Sequence, residues 1–83
     1  MKFTYKTNGV CSRSIDIELE DNVIKSVSFY GGCNGNLKGI GALVEGMEID
    51  DVIERLQDIK CGFKNTSCPA QLAEALKGYK NGQ

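Results

Sequence analysis

A chain of 83 residues, 41% of them hydrophobic, holds one small core, so residues 1–83 read as a single domain. Ten basic against eleven acidic residues leave a net charge of -1; no segment gathers Lys and Arg into a stripe that could neutralise phosphates, which argues against nucleic acid as a partner. The complete lack of histidine excludes a Cys-His dyad or a histidine base.

The first third of the chain alternates. Phe3 and Tyr5 share one face while Lys2, Thr4 and Lys6 share the other, and Ile15, Ile17 and Leu19 oppose Ser14, Asp16 and Glu18 in the same way. Two strands follow, joined through Asn8-Gly9. Glu20-Asp21-Asn22 makes the next turn, and Val23 to Tyr30 forms a third strand with Val27 and Phe29 on one face, interrupted near its start by Lys25. The opening Met1-Lys2-Phe3-Thr4-Tyr5-Lys6 lacks the apolar core of a secretory signal, and no apolar run is long enough to span a bilayer. The expectation is a cytoplasmic protein without membrane contact and with reduced thiols.

After Tyr30 the pattern changes to the turn-rich Gly31-Gly32-Cys33-Asn34-Gly35-Asn36, then to Leu37, Ile40, Leu43 and Val44 at helical spacing. Gly39 and Gly41 inside this helix each weaken it by roughly 1 kcal/mol relative to alanine, which suggests that they permit close backbone packing; Gly46 ends it. Asp51 with Glu54 resembles a capping box, and Val52, Ile53, Leu56 and Ile59 give a second amphipathic helix. A last helix runs from about Pro69 to Lys77, with Leu72, Ala73, Leu76 and Tyr79 facing inward and Gly78 as its stop. Strands first and helices after predict an α+β domain, a three-stranded antiparallel sheet followed by three helices packed on one face.

All four cysteines fall at the edges of these elements: Cys11 in the first hairpin connection, Cys33 before the first helix, Cys61 in the loop after the second, Cys68 at the start of the third. Cysteine outside a disulfide is ordinarily a buried small hydrophobe, and four at loop edges depart from that habit. Pro69 suits the first position of a helix, which makes Cys68 the expected N-cap and puts Gln71 at the capping-box position. A sulfur there faces unpaired N–H groups and the positive end of the helix dipole, which favour thiolate, the form that binds metal or attacks an electrophile. Four thiolates suit a tetrahedral zinc site or an iron-sulfur cluster, although the C-x21-C-x27-C-x6-C spacing has no C-x2-C knuckle. Zn–S bonds of about 2.3 Å require the sulfurs to lie roughly 4 Å apart, so all four loops must converge at one end of the sheet. The glycine loop, through Gly32, Asn34, Gly35 and Asn36, could present N–H groups to a nucleotide or flavin phosphate. It matches neither a P-loop nor G-x-G-x-x-G, and a strand-to-helix turn needing positive φ accounts for it more simply.

GGCNGN, Gly31 to Asn36, together with CGFKNTSCP, Cys61 to Pro69, resembles the small four-cysteine proteins of the TSCPD-domain family, distantly similar to a C-terminal domain of vitamin B12-dependent ribonucleotide reductases. The resemblance covers nearly the whole chain and implies metal binding by Cys11, Cys33, Cys61 and Cys68. It departs from the name-giving motif at Ala70, where an Asp is expected, so no role for that Asp carries over. The expectation is a metal-binding module, zinc before an iron-sulfur cluster, associated with a reductase protein. Two alternatives stand beside it: a dithiol redox or electron-delivery module working through Cys61 and Cys68, and a small-molecule module holding a nucleotide or flavin on the glycine loop. A standalone ribonucleotide reductase is excluded by size.

Overall fold

The computed structural model describes residues 1–10, 12–32, 34–60, 62 and 66–81. Three strands, β1 (Lys2–Lys6), β2 (Ser12–Glu20) and β3 (Val23–Gly31), form an antiparallel sheet in the order β1-β2-β3; α1 (Asn34–Val44), α2 (Ile49–Leu56) and α3 (Cys68–Lys80) follow. This is the predicted α+β arrangement. The alternation of β2 dictates the core: because successive side chains point to opposite faces, Ile15, Ile17 and Leu19 are buried together, and they meet Ile24, Val44, Ile49, Val52, Leu72, Ala75 and Leu76 in one cluster. Phe3, Tyr5 and Tyr79 pack against its rim, with the Phe3 and Tyr79 rings stacked at 5.7 Å. No helix among the described residues is long and apolar enough to cross a membrane.

Two bulges change the phase of the sheet. Glu18 pairs with Ser26 but Leu19 pairs with Ile24, so Lys25 is an extra residue on β3. This explains the interruption at Lys25: the phase shift lets Ile24 join the core, where a regular strand carrying Val27 and Phe29 inward would have turned it away. A second irregularity separates the pairs Ser12 with Gly31 and Ser14 with Tyr30, leaving Arg13 as the extra residue on β2.

Several local expectations are corrected by tertiary contacts. The second helix begins at Ile49, before the Asp51-Glu54 capping box, and its N-cap Glu48 makes no side-chain cap bond. Ile49 is buried and its N–H donates to Asn22 O at 2.8 Å, while Glu48 bridges Val23, so contacts with the β2–β3 turn set the start. Ile59 lies beyond α2 and is exposed. Gly78 does not stop α3, which continues to Lys80 with Asn81 as C-cap; the Tyr79 stack on Phe3 and the Lys80–Asp50 ion pair hold the extra turn. Leu43, expected inward, is 77% exposed, because Leu37, Ile40 and Val44 already cover the inner side of α1. Of Gly39 and Gly41, both expected to permit close packing, only Gly41 lies against backbone. Gly46, with φ of 83°, follows α1 as expected, and its N–H donates to Ile24 O at 2.8 Å.

Candidate functional site

Of the four cysteines, Cys68 is within the described residues; Cys11, Cys33 and Cys61 lie outside them. Among the described residues, no group of three or more His, Cys, Asp or Glu side chains is placed to hold a metal ion. The structure defines the frame around these positions. In an antiparallel meander the end of β1, the start of β2 and the end of β3 share one end of the sheet, and there Ser12, which follows Cys11 in sequence, pairs with Gly31, two residues before Cys33.

Cys68 belongs to the same end. It is 7% exposed, and its Sγ stands 3.1 Å from Ser12 Oγ. Ser67, not Cys68, is the N-cap of α3: its backbone is extended (φ -153°, ψ 170°) and its Oγ accepts from the Ala70 N–H at 3.1 Å. A hydroxyl oxygen is the better acceptor, and the chain uses it where the sequence offers serine and cysteine side by side. Cys68 is therefore the first helical residue, with Pro69 behind it in the first turn. The same Ser67 hydroxyl donates to Ile59 O at 2.6 Å, which ties Ile59, two positions before Cys61 in sequence, to the start of α3.

Gln71 is displaced from its expected role by the same one-residue shift. It makes no capping box. Its Oε1 accepts from the Asn8 N–H at 3.1 Å and its Nε2 donates to Thr66 Oγ1 at 3.0 Å, tying the β1–β2 connection to the loop before α3. Thr66 also lies close to Gly9, which has φ of 72°. Ser12 is thus a site-frame residue that sequence reasoning missed, and Gln71 one to which it gave another role: a bulge re-aims the first, and the second bonds to a partner 63 positions away.

In the glycine loop, Gly31 and Gly32 have φ of 83° and 78°, the left-handed conformation that the strand-to-helix turn requires. Asn34, Gly35 and Asn36 form the first turn of α1, which starts at the same end of the sheet.

The class is therefore a small α+β domain, a three-stranded antiparallel sheet followed by three helices, with Cys68 buried against the start of β2. The family model described as TSCPD domain matches residues 3–80, and this chain belongs to the TSCPD domain family. Neither the curated proteins nor the solved structures include a match to it.

Proposed function

We propose that the protein is a small metal-binding module in which the thiolates of Cys11, Cys33, Cys61 and Cys68 hold a metal centre, zinc in preference to an iron-sulfur cluster. The observation that carries this reading is the shared position of the cysteines' described neighbours. Ser12 touches the Cys68 sulfur and pairs with Gly31, while Ser67 holds Ile59. The cysteines are separated by 21, 27 and 6 intervening residues; that sequence neighbours of theirs share one end of the fold supports a site whose sulfurs must lie roughly 4 Å apart.

The donor set fits the group. Four soft sulfurs and no imidazole suit a closed, structural zinc site or a cluster, with the protons of the four thiols released on binding. Bound metal would supply cross-linking of four segments in a domain whose core is small, so its removal should cost stability. A role as accessory domain to a reductase protein follows from the family's distant likeness to a reductase C-terminal domain.

Elemental analysis and a visible spectrum of protein purified without added metal test the reading. Colourless protein with one zinc per chain is the expected result, with the metal and a share of thermal stability lost in Cys68→Ser. A brown protein containing iron and sulfide assigns a cluster to the same four ligands. Metal-free protein that forms a Cys61–Cys68 disulfide, or yellow protein with flavin bands, would overturn the proposal in favour of a redox or a flavin-binding module.

A further inference from the structure

Ser12 is a buried hydroxyl held against a buried sulfur. It is 4% exposed, with Oγ 3.1 Å from Cys68 Sγ. Three features keep it there. The bulge at Arg13 breaks the alternation that would otherwise group Ser12 with Ser14 and Asp16 on the face opposite Ile15 and Ile17. Thr7 Oγ1 donates to the Ser12 carbonyl at 2.6 Å, and the ladder to Gly31 fixes the other side of the strand. If packing alone were at stake, alanine or valine would fill this place without a hydroxyl to satisfy.

We propose that Ser12 is a positioning residue for the metal site, its hydroxyl donating a hydrogen bond to the Cys68 sulfur. The inference rests on Cys68 acting as a ligand, as proposed above. A metal-bound thiolate keeps lone pairs that the metal does not use, and a buried O–H donor takes up part of their charge and fixes the direction of the side chain. Ser12 thereby links the segment adjoining Cys11 to a second cysteine, so the strand start and the helix start are set against each other before metal arrives.

Cobalt(II) titration of the reduced, metal-free full chain, followed by zinc competition, separates the possibilities. Ser12→Ala should weaken binding by roughly 10- to 100-fold, the usual effect of removing a partner that orients a ligand. It should also move the sulfur-to-cobalt charge-transfer absorption to longer wavelength, because the thiolate loses a donor. Ser12→Thr and Ser12→Val, equal in shape and differing in the hydroxyl, carry the same comparison should the alanine variant fail to fold: Thr keeps wild-type affinity and band position, Val does not. A hydroxyl that only supports the fold would lower the melting temperature of the metal-free chain and leave the band where it is, which would overturn the proposal. So would Val and Thr variants that bind alike. Wild-type protein that binds no cobalt overturns the metal reading itself, an outcome distinct from tight wild-type binding that is indifferent to Ser12.

Discussion

Gly41 and Gly39 lie two positions apart on α1 and play opposite parts. A β-carbon on Gly41 would stand 2.6 Å from Val27 O, a backbone atom that cannot step aside, whereas one on Gly39 would meet nothing within 4 Å. Gly41→Ala should therefore push α1 off β3 and destabilise by about 1–3 kcal/mol. Gly39→Ala should stabilise by about 0.5–1 kcal/mol through helix propensity and a smaller unfolded-state entropy. Urea melts of the two variants, with opposite shifts in midpoint, check this; equal shifts would mean that neither glycine is selected by packing. Sequence alone expects both Gly39 and Gly41 to permit close approach. Which one does so depends on the strand across from it, and no local pattern contains that information.

Element boundaries tell the same story one level up. The capping box at Asp51 and the stop at Gly78 are sound local signals, yet α2 starts at Ile49 and α3 runs to Lys80, because Ile49 gains burial and a bond to Asn22, and Tyr79 gains a ring partner. These contacts outweigh a cap worth about 1 kcal/mol or the helix cost of a single glycine, also about 1 kcal/mol. Gln71 belongs to this scale, since its side chain joins two connections. Gln71→Leu removes the acceptor of the Asn8 N–H and the donor to Thr66; it should cost about 1–3 kcal/mol in chemical denaturation with an unchanged m-value. Leu43→Gln, on the exposed side of α1, should stay within about 0.5 kcal/mol. A Gln71 variant as mild as the Leu43 variant would show that the bridge does not hold the two segments together.

For the whole molecule, the resolved titration shifts share one sign. Tyr5 is raised above the ordinary tyrosine value by burial first and the nearby Glu74 charge second. Tyr30 is raised by its hydrogen bond to Asp16 and that carboxylate's charge, and Lys25 by its bond to and charge attraction from Glu20. In each case the folded protein keeps the proton to higher pH than the unfolded chain, where these groups titrate near about 10 to 10.5. Their contribution is fully present below those values and is lost as pH rises beyond them. The melting temperature should therefore fall as pH rises above about 10, and Tyr5→Phe, which removes the titrating hydroxyl, should make that fall shallower. A Tyr5→Phe curve parallel to wild type over this range would sink the assignment.

What the sequence determined by itself is the order of elements and the inner face of β2. Strand periodicity is a property of the backbone, so Ile15, Ile17 and Leu19 had one side to share wherever the strand was placed. The TSCPD resemblance was also legible, and the family match over residues 3–80 bears it out. Only the tertiary structure decided that Ser67 caps α3 in place of Cys68, that Ser12 lies against the Cys68 sulfur, and that Gln71 reaches Asn8. The reason is physical. A period of 2 or 3.6 reports which side a residue takes within its own element, while a bulge resets that phase, and contacts between residues 56 or 63 positions apart exist only once the chain has closed on itself.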